Sequence, residues 1–162
     1  RNRWFSDTWR GIQGRLQDID EGDRERSAAF PFKLAYRLIN MFSVKNDLVL
    51  DPFLGTGTTT RAAICSQRNS IGVELSDSLS GVITDQVMNS KIFCNKYIDN
   101  RFKNHLEYIN DRIKSGKEVK HKLNNHDFPC ISYQESKILI NNISSIEKKD
   151  DLFKVKYEKL ID

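Results

Sequence analysis

An acid closing a short apolar run, two glycines one residue apart and a row of threonines mark Asp51-Pro52-Phe53-Leu54-Gly55-Thr56-Gly57-Thr58-Thr59 as the stretch best suited to hold a ligand. Glycines let the backbone approach a bound group closely, and free amides at a helix start attract electron-rich atoms. Three loop types share this look. A Walker-type phosphate loop needs a lysine just before its Ser/Thr, and none is present. A dinucleotide fingerprint needs a third glycine where Thr60 stands. What remains is a place for a polar cofactor on the carboxyl edge of a sheet. Glu74 stands 23 positions beyond Asp51 (74 − 51), where an acid can accept hydrogen bonds from ribose hydroxyls. The plain alternative is a glycine turn and a strand-end acid with no ligand.

The surrounding sequence supplies elements to position these residues. Pro31 opens a helical pattern through Phe42, with Leu34, Leu38 and Met41 at helical spacing beside Ala35, Ile39 and Phe42. Asn46-Asp47 reads as a turn and Leu48-Val49-Leu50 as a strand of the kind buried in a parallel sheet. Thr58 is placed to cap a helix reaching about Gln67, and Arg68-Asn69 turns the chain into a strand over Ser70–Glu74. Strand, helix and strand make a βαβ unit. Asp77 is expected to cap a helix reaching toward Phe93. Phe102, Leu106, Ile109 and Ile113 predict another, ended near Gly116. Lys117 to Asp127 reads as a lysine-rich loop. Lys137–Ile146 and Leu152–Leu160 are expected to pair as antiparallel strands around a turn at Glu147–Asp151.

At 162 residues with 38% apolar and 30% charged side chains, the chain has the make-up of one soluble domain. No apolar run approaches the ~18 residues of a membrane helix, and nothing reads as a signal peptide, so no membrane partner is expected. Cys65, Cys94 and Cys130 form no C-x-x-C pair or Cys/His cluster, so no metal site is expected and the compartment reads as reducing and cytoplasmic. His105, His121 and His126 sit in no motif and are assigned to surface or packing. Residues 1–29 read as a polar leading segment. Its arginines stand beside Trp4, Phe5 and Trp9, but interleaved acids nearly cancel the charge, which suits either a solvated loop or a nucleic-acid surface. Residues 30–95 form the expected cofactor-binding core, and residues 96–162 a helix and β-hairpin extension of the same domain. The chain begins at Arg1 without a methionine, which reads as a piece of a longer one.

The glycine loop resembles motif I of the amino-group DNA methyltransferases that modify adenine N6 or cytosine N4. Ala29-Phe30-Pro31-Phe32 resembles their motif X, and Ile71-Gly72-Val73-Glu74 their motif II; the likeness covers about residues 24–79. Motif X just before motif I marks the permuted, beta-type order of that family. The resemblance implies an α/β fold, part of a Rossmann-like S-adenosylmethionine-dependent methyltransferase sheet, with a C-terminal helix and small antiparallel β element. It implies S-adenosyl-L-methionine as cofactor and DNA as partner. Phe30 and Pro31 would line the methionine end, with Asp51, Phe53, Gly55, Gly57 and Thr58 around the methionine moiety and Glu74 at the ribose. Phe30 and Phe53 also have an ordinary reading as core aromatics. Asp51 has none so simple, because an acid after Leu48-Val49-Leu50 is costly to bury unless an ammonium or helix-start amides pair it.

The family's catalytic motif, an acid, asparagine or serine followed by two prolines and an aromatic, is missing. Pro31, Pro52 and Pro129 are the only prolines, and no two are adjacent. Catalytic residues are therefore expected upstream in a longer chain or on a second polypeptide, and none is assigned here. Alternatives are a non-catalytic recognition subunit and an RNA methyltransferase. The Arg/Trp-rich start and the segment Lys114–Lys122 are the candidates for target contact.

Overall fold

The computed structural model describes Trp9, Ile12 and residues 30–160. The chain divides into two compact units, Arg1–Ser90 and Lys91–Asp162.

The first unit is built on a βαβ crossover. Helix α1 (Phe32–Phe42) precedes strand β1 (Leu48–Asp51), helix α2 (Thr58–Cys65) and strand β2 (Asn69–Gly72). The strands pair in parallel, Leu48 opposite Asn69 through Asp51 opposite Gly72. A 3₁₀ turn at Asp77–Leu79 leads into α3 (Ser80–Met88). Helix α2 packs against α1 and both strands. Ala62 and Ala63 are fully buried in α2, and α1 answers with Ala35, Tyr36 and Ile39. Small residues let the helices approach closely, so the buried face of α1 runs through Ala35 and Ile39. The predicted stripe is corrected here, since Leu38 and Phe42 are exposed.

Strand β1 also departs from expectation. Leu48 and Leu50, with Ile71 of β2 and Val73 just beyond it, are exposed rather than buried. Burial alternates along β1, with Val49 and Asp51 half-buried and Leu48 and Leu50 exposed, and α2 is the helix packed on the two strands. The helix expected from Asp77 to Phe93 is likewise interrupted, by Asn89, which caps α3.

Arg68, read from sequence only as a turn residue, ties the crossover together. Its guanidinium donates to Ser43 Oγ at 3.0 Å, to the Ser43 carbonyl at 2.6 Å and to the Ser66 carbonyl. Asn40 Nδ2 donates to Ser66 Oγ at 2.8 Å, so the end of α1 and the turn after α2 share one network. Arg68→Met is expected to cost about 2 kcal/mol, because charged donors are lost from half-buried acceptors. That corresponds to a fall of about 6 °C in the thermal transition followed by circular dichroism. A shift under about 1 °C would show that the network contributes little.

The second unit carries α4 (Ser90–Lys114), the short antiparallel pair β3 (His121–Lys122) and β4 (Pro129–Cys130), a 3₁₀ turn at Tyr133–Lys137, and the hairpin β5 (Asn141–Lys149) with β6 (Leu152–Lys159). The C-terminal helix and antiparallel element thus form as expected, with shifted limits. Lys122 and its neighbour His121 join a strand rather than a loop. Strand β5 starts at Asn141, not Lys137, and the hairpin turns within Asp150-Asp151, with Asp150 at φ 53°. Asn95 of α4 accepts from Ile143 N–H at 2.8 Å and donates to Ile143 C=O at 3.1 Å, filling both backbone bonds beside the β-bulge at Ile143/Ser145. Phe102 and Phe128 meet at 4.8 Å, Cys94, Ile109, Cys130 and Ile143 are buried nearly completely, and His126 accepts from Ile140 N–H at 3.1 Å.

Candidate functional site

The loop after β1 is held by backbone bonds that continue the parallel ladder. Val73 N–H donates to the Asp51 carbonyl and Leu54 N–H to the Val73 carbonyl, both at 2.9 Å. Gly72 makes room for this crossing, because a Cβ there would lie 2.6 Å from Leu54 Cδ2. The sequence reading gave Gly72 no role, and its signal was a bare glycine inside a strand pattern.

Gly57 N–H then closes the turn on the Leu54 carbonyl at 3.0 Å. Gly55 and Gly57 both take left-handed backbone, at φ 55° and 88°. They differ in surroundings. A Cβ on Gly57 would face Ile83 Cγ2 at 3.7 Å, whereas one on Gly55 would meet nothing within 4 Å. Gly55 therefore offers the open side of the loop. Gly57 is the N-cap of α2 and Thr58 its first helical residue, with no side-chain cap bond. The expectation that Thr58 caps the helix is corrected: left-handed Gly57 makes the turn, and Thr58 is buried. The first intrahelical bond runs from Arg61 N–H to the Gly57 carbonyl, so the amides of Thr58 to Thr60 precede the helical ladder.

Two carboxylates converge on this loop. Asp51 Oδ1 accepts from Phe53 N–H at 3.0 Å. Glu74 Oε2 accepts from Gly55 N–H at 2.7 Å and its Oε1 from Ser76 N–H at 2.9 Å. The Ser76 and Gly55 amides hold the Glu74 carboxyl below the usual carboxylate range, against opposing pushes from desolvation and, more weakly, from nearby Asp51. A carboxylate has about four acceptor positions, so both acids keep capacity for a ligand's donors. Their shared negative charge disfavours a phosphate-bearing ligand and favours one carrying a cation and hydroxyls.

A pH dependence follows. Because the folded Glu74 carboxyl has a lowered pKa, its contribution is complete above the unfolded value of about 4.3 and is lost as pH falls through the folded value. The Gly55 amide resonance is expected to titrate below about pH 4.3, and a Glu74→Gln variant to abolish that titration. A Gly55 shift that stays flat down to acid unfolding would contradict the contact.

Phe53 projects at the loop with 86% of its surface exposed, and Phe30, at the start of α1, is 38% exposed. Neither is an ordinary core aromatic. Pro31 is the N-cap of α1, one position before the predicted first turn. The structure thus joins Asp51, Phe53, Gly55, Gly57, Thr58 and Glu74 at one strand edge and puts Phe30 and Pro31 at the start of the helix packed on α2.

Trp9 of the leading segment lies under the Arg37 guanidinium, 4.3 Å from the ring centroid. The other arginines and aromatics assigned to that segment lie outside the described residues. Cys65, Cys94 and Cys130 are buried thiols, and among the described residues no three metal-ligating side chains come together. No described helix is long and apolar enough to cross a membrane.

The sequence pattern of a family described as DNA methylase matches residues 1–85. The type II methyltransferase M.MthZI of Methanothermobacter thermautotrophicus is 40% identical over 162 residues, 99% of this chain and 44% of that protein. The type II methyltransferase M.MjaI of Methanocaldococcus jannaschii is 51% identical over 87 residues, 54% of this chain and 28% of that protein. A protein of Thermus thermophilus solved with S-adenosyl-L-methionine, a candidate DNA modification methylase, aligns at 37% identity over 55% of this chain and 32% of its own, with a TM-score of 0.45. The chain spans less than half the length of these relatives.

Proposed function

Since the chain belongs to the DNA methylase family, we propose that its Arg1–Ser90 unit holds S-adenosylmethionine for methyl transfer to an exocyclic amine of DNA, adenine N6 or cytosine N4. The observation that carries this reading is the bond from Gly55 N–H to Glu74, which fuses the glycine turn and the strand-end acid into one receptor. The residues present fit such a group. Glu74 and Asp51 supply acceptors for ribose hydroxyls and an ammonium, open Gly55 allows close approach, and Phe53 and Phe30 offer exposed apolar surface for the methionine end.

The cofactor supplies an electrophilic methyl on a sulfonium. This chain's part is to bind and orient it: Asp51 fixes one end, Glu74 the other, and the Leu54–Val73 ladder bonds keep them in register. Positioning of this kind supplies much of the rate when two reactants must meet in line. Side chains that grip the target amine belong, in this proposal, to another segment of the full protein or to a second polypeptide bearing the proline-proline motif. A role in restriction-modification accords with the type II names of the relatives; a cytoplasmic location belongs to the proposal.

The test is methyl incorporation into duplex DNA by this chain alone and joined to such a segment. Activity only in the joined form is expected. Equal activity from the chain alone would overturn the division of labour.

A further inference from the structure

The positive charge of the chain is not spread evenly. Residues 1–90 carry eleven basic and eleven acidic side chains, so residues 91–162 hold the entire net charge of +4. Within that half, the stretch from Arg112 to Lys122 has five basic residues against Glu118 alone, which already equals +4. This stretch lies outside the residues matched by the family pattern.

Arg112 and Lys114 occupy the last turn of α4, where cations complement the helix dipole, and that role accounts for them. Lys117, Lys120 and Lys122 have no such account. They follow Gly116, whose φ of 75° ends the helix, and all three are exposed, Lys117 and Lys120 on the run into β3 and Lys122 within it. Lys120 meets Glu118 at 3.0 Å and Lys122 meets Asp127 at 2.9 Å, but these pairs are largely solvent-exposed. Such pairs are weak and readily exchanged for a stronger anion. His121 stands between Lys120 and Lys122, and the exposed Tyr133 meets it edge-on, adding an aromatic to the surface.

We propose that Lys117 and Lys120, on the loop after α4, and Lys122, in β3, form a phosphate-contacting segment through which the second unit holds the backbone of duplex DNA. The proposal rests on the DNA reading above and adds where the backbone is gripped. Sequence-independent phosphate contact suits flexible lysines better than base readout does.

The test is binding of the full chain to a labelled DNA duplex across a salt series. Each phosphate contact contributes a slope of about −0.9 in log affinity against log salt. Lys117→Gln, Lys120→Gln and Lys122→Gln combined are expected to reduce the slope by about 2 to 3 and affinity at least about tenfold. A control variant with Lys149, Lys154 and Lys159 changed to glutamine removes the same charge from the β5–β6 hairpin and is expected to do much less. Equal effects of the two variants, an unchanged slope, or preference for an RNA duplex or anionic vesicles would overturn the proposal. S-adenosylmethionine binding separates the two levels. If it persists while duplex binding is absent or insensitive, the segment assignment alone fails; if it is absent, the underlying reading fails.

Discussion

Glu74→Ala should weaken S-adenosylmethionine binding by about 100-fold, corresponding to roughly 3 kcal/mol for hydrogen bonds to a charged acceptor. Two effects combine. The ribose hydroxyls lose their carboxylate, and the Gly55 amide loses the acceptor 2.7 Å away that fixes the open side of the loop. The fold should tolerate the change, since the Leu54–Val73 and Val73–Asp51 backbone bonds do not involve the side chain. Calorimetric titration beside a thermal melt separates the outcomes. A large loss of affinity with little change in melting supports the placement. Unchanged affinity would remove Glu74 from the site.

Gly57→Val should act in the opposite place, on stability first. The residue is buried at φ 88°, in left-handed backbone that costs a branched side chain at least about 1–2 kcal/mol. Its Cβ would rest in ordinary contact with Ile83, 3.7 Å from Cγ2, which leaves little room for the two further methyls of valine, and overpacking by them adds about 1–3 kcal/mol. Together these correspond to a fall of roughly 9 °C in the melting transition. Gly55→Ala is the informative contrast. It shares the left-handed cost at φ 55° but meets open space and adds a single methyl, so the melt should move by only a few degrees while the new methyl occupies the ligand-facing side and affinity falls. Equal melting losses for the two variants would mean that the two glycines do not divide the roles of turn and cradle.

The loop could be read from sequence because its constraints are local. A left-handed cap and a close backbone approach demand glycine whatever surrounds them, and an acid ending an apolar strand demands a partner. Strand β1 was legible as a short apolar run after a turn, and β2 as the return of the chain after α2, although β2 covers Asn69–Gly72 rather than Ser70–Glu74. Features set by distant partners were not. The choice of Ala35 and Ile39 over Leu38 and Phe42 as the buried face of α1 depends on Ala62 and Ala63 lying opposite. The seat that Gly72 provides for Leu54, and the Arg68 network across Ser43, Asn40 and Ser66, require the crossover to be closed first. The β3–β4 pair is too short to show a period, and Asn95 gives no sign in sequence that it will complete the bonds of Ile143, 48 residues away.

Thr58 shows how a residue can take its expected place in the loop while the detail behind the expectation fails. Its side chain was read as a cap, yet Gly57 performs that turn and Thr58 is the first buried residue of the helix. It stays in the candidate site through its backbone position.

The central claim is that Asp51, the glycine turn and Glu74 form one receptor for a cationic, hydroxyl-bearing methyl donor. Its most direct test is calorimetric titration of the wild-type chain with S-adenosylmethionine and, separately, with ATP, repeated on Asp51→Ala. Saturable binding of S-adenosylmethionine, lost in the variant, and no comparable binding of ATP is the predicted result. Tighter binding of ATP, or S-adenosylmethionine binding that survives Asp51→Ala undiminished, would contradict it.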